Sequence, residues 1–337
     1  MSSGNNRSVA LLLLILLSAA GVSAQTATEL RENARSFMQQ GDFSNATLVL
    51  NRALQLEPAN TEIIRELSLS QFLQKDYGKA LETLTPVLNS NDADDQTFQI
   101  AGSIYRQLNN PREAEKIYRK ALKKFPASGP LYNDYGDLLW AQQDMNAIRQ
   151  WEKGIETDPS FSKNYFNACK YYALRSDWVW ALLYGEIFVN IEPIGSRTPE
   201  IKALLLEGYK KIFLGANPGS TGTESKPFET AFRSTLDKEA PLSSRGINAE
   251  TLTMIRTRFI LDWDSQHARQ FPFRLFDLHR QLLREGLFDA YNQWLFGSSE
   301  NLAAFQQWTT THDAEYKAFT KMQRSRIFKL PAGQYYH

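Results

Sequence analysis

The chain has 337 residues, with 38 Lys and Arg set against 37 Asp and Glu for a formal net charge of +1. That balance offers no general electrostatic attraction for nucleic acid or an anionic membrane, and at ~150 residues per domain the length amounts to about two domains or one elongated array. Cys169 is the only cysteine, so no intramolecular disulfide can form and stability must come from packing.

The first residues, MSSGNNRSVALLLLILLSAAGVSAQ, carry Arg7, an unbroken apolar run from Val9 to Leu17, and the small-residue site Val22-Ser23-Ala24. This order predicts a signal peptide over 1–24, with Gln25 opening the mature chain. A membrane span needs ~20 apolar residues, more than this run supplies. The residue directly after the cleavage site is Gln25 and not cysteine, so a lipoprotein anchor is not expected, and no later segment reads as a span.

Gly41-Asp42 then opens a helix with apolar residues at Ala46, Leu50 and Ala53, stopped near Pro58. The pattern returns. Ala46 is followed by Ala80 after 34 residues, Ala114 after 34, Ala147 after 33 and Ala181 after 34. Each follows a polar turn, in order GDFSNA, KDYGKA, NNPREA, QDMNA and SDWVWA. Four residues after each alanine stand Leu50, Leu84, Tyr118, Trp151 and Gly185, and three further on stand Ala53, Val87, Ala121, Gly154 and Phe188. Small residues such as Ala114, Gly102 and Gly136 let paired helices approach, while Tyr118, Trp151 and Phe188 fill the space between units. Pro86 falls inside a second helix, where its ring is expected to kink the helix or shift its start.

A period of 34 with these residues resembles the tetratricopeptide repeat over about residues 27 to 195. Units three and four add the first-helix marks Gly102 with Tyr105 and Gly136 with Leu139. The resemblance implies an all-α fold, a right-handed superhelix of about five helix-turn-helix repeats with a concave groove, occupying 25–214. Thr198-Pro199 starts a capping helix, and the Gly-, Pro- and Ser-rich stretch within 215–227 reads as a flexible linker. Residues 228–337 form a C-terminal helical module. Within it Gly286, Ala290, Trp294 and Gly297 echo the repeat spacing, either as a degenerate repeat or as an unrelated helical hairpin. The final stretch reads as a helix and an extended tail.

The sequence offers little chemistry. No two of His267, His279, His312 and His337 stand four apart on one helical face, as paired zinc ligands do. There is no GxSxG, P-loop or GxGxxG motif, and the PGSTGT stretch has no strand before it. Asp262 and Asp264 flank Trp263, but residues two apart on a helix face different ways. Cys169 reads as buried and inert, the aromatic wealth as packing, and the basic run Lys321, Arg324, Arg326 and Lys329 as a solvated face. No cofactor, metal or catalytic residue is therefore expected.

The resemblance places binding on the first helix of each unit. The stripe there is Arg31 and Arg35; Arg65 and Leu69; Gln99, Ser103 and Arg106; Asn133, Asp137 and Trp140; Phe166, Asn167 and Lys170. Charge, amide and aromatic groups mixed in this way suit an extended peptide or a partner helix. Trp140 and Phe166 are expected to face the groove. The carboxylate clamp of some family members is not expected, because Glu32 and Glu66 lie near the arginines and Ile100 takes the third unit's equivalent place. The expectation is an exported, periplasmic or secreted, non-enzymatic interaction scaffold of a Gram-negative type of envelope, binding a protein or peptide and neither nucleic acid nor membrane. The alternative is a hydrolase or metal-dependent enzyme whose site uses His279, Asp262, Asp264 and His312, with the repeats recruiting substrate.

Overall fold

The computed structural model describes residues 25–213 and 226–337; the segment expected to be a signal peptide and nearly all of the stretch expected to be a linker lie outside the described residues. The chain divides into two compact units between Asn110 and Pro111, within the third repeat.

In the first unit α1 (Ala27–Gln39), α2 (Phe43–Leu56), α3 (Thr61–Leu73), α4 (Tyr77–Leu88) and α5 (Asp95–Gln107) pack each on the next. In the second, α6 (Pro111–Lys124), α7 (Gly129–Ala141), α8 (Ala147–Thr157), α9 (Ser162–Leu174), α10 (Trp178–Ile191) and α11 (Thr198–Phe213) do the same. Ala46, Ala80, Ala114, Ala147 and Ala181 are all fully buried, so the small position holds in every repeat. Close approach explains the glycines as well. A methyl group on Gly136 would meet the indole of Trp151, and one on Gly185 would lie 2.9 Å from Sγ of Cys169. Cys169 is enclosed there, and burial pushes its thiol well above the usual range.

The turns repeat as strictly as the helices. Gly41, Lys75, Asn109, Gln143 and Ser176 each adopt a left-handed conformation, at φ 77°, 68°, 54°, 62° and 57°. In each case the next residue's N–H reaches back five positions, as from Asp76 to the Gln71 carbonyl (3.0 Å) and from Asp177 to that of Tyr172 (2.9 Å). This closure satisfies carbonyls that the helix end would leave bare. Asp42 and Asp76 then cap the following helices by accepting from the backbone N–H three residues on. Pro86 does not shift the start of α4. It sits two residues from the helix end, so only a short stretch of α4 lies beyond it to be turned aside.

Beyond 225 come α12 (Pro227–Asp237), a 3₁₀ turn (Ala240–Arg245), α13 (Ala249–Gln266), α14 (Arg274–Arg284), α15 (Phe288–Asn292), a π-helical turn (Gln293–Gly297), α16 (Leu302–Thr311) and α17 (Asp313–Ser325). The turn between α14 and α15 copies those of the repeats: Gly286 has φ 69° and the Leu287 N–H reaches the Leu282 carbonyl at 2.8 Å. Ala290 follows four residues after Gly286, the offset of Ala147 from Gln143, and is fully buried. The echo is therefore a repeat-like hairpin, whose second helix departs from the pattern at the π turn.

The apolar core does not divide at the stretch 215–227. One cluster runs from Ile155 and Tyr165 through Phe188 to Phe228, Trp263, Phe296 and Leu330. The cause is α10, in which every residue from Trp178 to Val189 is buried. A helix apolar on all sides needs cover on all sides. Repeat helices α9 and α11 cover part of it, and α12 packs on it from the C-terminal half.

Candidate functional site

The first-helix stripe of the first unit is an ion-pair ladder. Arg31 on α1 pairs with Glu62 and, at 3.0 Å, with Glu66 on α3; Arg35 reaches the same Glu66 at 2.6 Å. Arg65 on α3 pairs with Asp94, the N-cap of α5. Burial works against the Asp94 charge, but hydrogen bonds from Thr97 and the Arg65 guanidinium hold its carboxyl below the usual range. These arginines thus neutralise the next repeat's carboxylates. Glu66 Oε2 is buried and lacks a partner among the described residues. Leu69, Gln99, Ser103 and Arg106 are half-buried along the same helices.

In the second unit the stripe is more aromatic. Asn133 is buried, not presented, because Leu131, Tyr132, Tyr135, Leu138 and Leu139 make the buried arc of α7 broad enough to include it. Asp137 accepts a 2.7 Å hydrogen bond from Asn167 one repeat on, and Lys170 pairs with Glu200 of α11 at 2.7 Å. Trp140 is 37% exposed, with its ring 6.0 Å from Tyr171 and 5.9 Å from Trp151. Phe166 leans on Phe188 of α10 at 5.4 Å and is only partly buried. Two cations flank its ring, Lys170 at 5.2 Å and Arg197 at 5.1 Å. Trp140 and Phe166 thus each have a packing role beside an open edge.

The four residues of the enzymatic alternative do not converge. Asp262 faces Lys238 at 3.5 Å and Asp264 pairs with Arg280. His312 stacks flat on Trp308, with ring centroids 4.4 Å apart. His279 is enclosed in the core. Among the described residues no group of three or more His, Cys, Asp and Glu could hold a metal ion. The run Lys321, Arg324, Arg326 and Lys329 is exposed.

Sequence reasoning passed over the network around His279. Glu186 of α10 accepts from His279 Nε2 and from the Tyr291 hydroxyl, each at 2.7 Å, and pairs with Arg256 of α13. Arg256 also donates to Asn292 Oδ1. Burial alone would raise the Glu186 carboxyl, but Arg256 and His279 bring it down to about 2. Burial lowers His279, against the pull of Glu186. A second isolated charge lies on α11. Lys202 Nζ donates to the carbonyl of Trp294 in the π turn at 2.8 Å and stands 3.7 Å above the Trp294 ring. A π turn displaces carbonyls from the α-helical ladder, and this ammonium takes one of them. Burial brings Lys202 down to about 7.

Residues 31–88 and 101–160 match the tetratricopeptide repeat family. Over 121 residues the chain is 31% identical to the BBSome complex member BBS4 of Mus musculus, and equally to that of Bos taurus, a stretch covering 36% of this chain. The match spans only 23% of the length of those curated relatives. Similar solved structures include PilW, a widely conserved type IV pilus biogenesis factor, at 17% identity over 66% of this chain and 94% of that one, with a TM-score of 0.46. A tetratricopeptide repeat protein from Parabacteroides merdae is 22% identical over 70% of this chain and 100% of that one, with a TM-score of 0.42. A thermophilic counterpart from Thermus thermophilus is 13% identical over 55% of this chain and 100% of that one, with a TM-score of 0.45.

Proposed function

From the premise that the chain is a tetratricopeptide-repeat protein, a class that mediates protein interactions, we propose that it is an exported scaffold of the bacterial cell envelope that holds an extended peptide or partner helix on its first-helix faces. The observation that carries this reading is the partly open aromatic row of the second unit, Trp140 against Tyr171 on consecutive first helices, with Phe166 and Lys170 on the second of them and Arg197, from the turn before α11, on the other side of the Phe166 ring. Partly exposed aromatics beside charged groups are the usual anchors of a protein interface, each worth ~2 kcal/mol or more on truncation. The ion-paired stripe of the first unit offers no such anchors, because its arginines already hold carboxylates.

The test is capture of tagged chain from the native envelope, compared with a Trp140→Ala, Lys170→Glu variant. Loss of the captured partner with unchanged helical content supports the reading; undiminished capture removes the row from the interface. N-terminal sequencing of the same material checks export: a chain starting at Gln25 supports it, and an intact leader on a cytosolic chain overturns it.

A further inference from the structure

After α17 the chain runs without helix from Arg326 to His337. Phe328 and Leu330 are buried, Gly333 turns the backbone at φ 83°, and the residues that follow lie against the second unit. Gln334 accepts the backbone N–H of Arg274 at 2.6 Å. Tyr336 stacks flat on Phe228, centroids 4.6 Å apart and planes 9° off parallel, and its hydroxyl donates to the Pro272 carbonyl at 2.6 Å. His337 ends the path among the repeats. Its Nδ1 is 2.8 Å from Glu152 Oε1, its Nε2 is 2.7 Å from the Tyr172 hydroxyl, and its ring meets Trp180 edge-on at 4.7 Å.

The receiving surface is assembled by three repeat helices: α8 supplies Glu152, α9 supplies Tyr172, and α10 supplies Trp180 and Tyr184. Its parts hold one another. The Tyr172 hydroxyl lies 2.6 Å from the Glu152 carboxylate and that of Tyr184 lies 3.4 Å away, while Tyr172 and Tyr184 rings pack at 5.9 Å. Trp180 is tied by its indole N–H to Glu229 at 3.3 Å. A carboxylate at the floor of aromatic walls is therefore set by the repeats, with the tail laid over it. Negative charge is concentrated around this floor. Asp177 stands close enough to Glu229 that burial and this like charge push its carboxyl up to about 6, against the pull of Arg233 and His337.

We propose that Glu152, Tyr172, Trp180 and Tyr184 form a peptide-binding site for extended segments with an aromatic residue two positions before an N–H-donating basic side chain, and that the chain's own Tyr335, which hydrogen-bonds with Tyr184 and Glu152, and His337 fill this site in cis. The site is separate from the Trp140 and Phe166 row, and the inference does not rest on that row binding a partner. Selectivity follows from the groups present. The aromatic walls take a planar side chain, and the Glu152 carboxylate takes an N–H donor, a charge-assisted hydrogen bond of the stronger kind. Tyr336 holds the tail down by stacking on Phe228, outside the site itself. A segment tethered this closely acts at an effective concentration on the order of millimolar, so a free peptide of micromolar affinity is kept out until the tail lifts.

The test uses the full chain and a fluorescent peptide of the sequence KLPAGQYYH, copied from Lys329–His337. The variant Tyr336→Ala with His337→Ala should bind it at least tenfold more tightly than the unaltered chain does. Adding Glu152→Gln to that variant should weaken binding about tenfold, and so should replacing the peptide's histidine by alanine. Equal binding to the unaltered and unseated chains, or no binding to the unseated chain, overturns the proposal. If the double variant loses helical content, His337→Ala alone gives the same comparison, since that side chain is already 23% exposed. A dimer that forms with rising concentration and vanishes in Glu152→Gln would show the tail traded between copies and overturn the occupation in cis.

Discussion

Glu186 and His279 stand 93 positions apart in the sequence, yet imidazole Nε2 lies 2.7 Å from carboxylate Oε1 in the interior of the second unit. The carboxylate is shared with Arg256 and Tyr291, so one side chain of α10 bonds to α13, α14 and α15. It is the polar counterpart of the apolar cluster that joins the repeats to the C-terminal helices.

Replacing Glu186 by Gln should therefore destabilise the second unit severely. The amide keeps the shape and one acceptor, but Arg256 loses its counter-charge while fully buried, and breaking a buried pair from one side costs ~3–5 kcal/mol. Asp313→Asn removes the exposed pair with Lys317 and should cost no more than ~0.5 kcal/mol. Urea unfolding of the two variants side by side measures the contrast; similar midpoints would contradict the network's role.

Acid should weaken the fold through His279 first. Its folded-state value lies below the ordinary 6.5, so the unfolded chain takes up the proton first, and stability falls as pH drops below about 6.5. Glu186, held at about 2 against an ordinary 4.5, adds a further loss between those values. The His279→Gln variant should lose the first part of this dependence, between about pH 7 and 5, and keep the share of the second that Arg256 sustains. Melting temperatures across pH 3 to about 8 read both.

Lys202 gives the opposite window. Held at about 7 against an ordinary 10.5, it binds fewer protons folded than unfolded between these values, so it contributes stability that grows as pH rises from 7 toward 10.5. Lys202→Met removes that growth, while leaving the Trp294 carbonyl without its donor. The measurement is the difference in unfolding free energy between pH 7 and about 9.5, expected to be smaller in the variant by ~1 kcal/mol or more, at 1.36 kcal/mol per pKa unit.

Gly136→Ala should cost ~1–3 kcal/mol, since even one methyl group enters the space of the Trp151 indole. Trp151→Phe shortens that ring system. The double variant should lose less than the sum of the two single losses, and a strictly additive result in thermal unfolding would mean that the two residues do not press on each other.

The repeats were legible because their determinants are local. A buried alanine and a turn with one left-handed residue recur about every 34 residues, joined in the first two repeats by a capping aspartate, and each needs only the next helix as a partner. The sequence by itself therefore determined the helices from Ala27 to Phe213 and the small positions where they approach. It also held one sign of what lies beyond them, a single charge at Glu186 within the apolar run WVWALLYGEIFVNI, which a buried helix tolerates only if something neutralises it. Nothing in the sequence named those partners. Arg256, His279 and Tyr291 lie 70, 93 and 105 residues away, and His337 lies 165 residues from Tyr172. Periodicity shows which residues share a face of one helix, but not which distant faces will meet. The shared core of the repeats with residues 228–330, the burial of Asn133 and the seat of the tail were decided only by tertiary packing, where an all-round apolar helix had to be covered and its one charge answered.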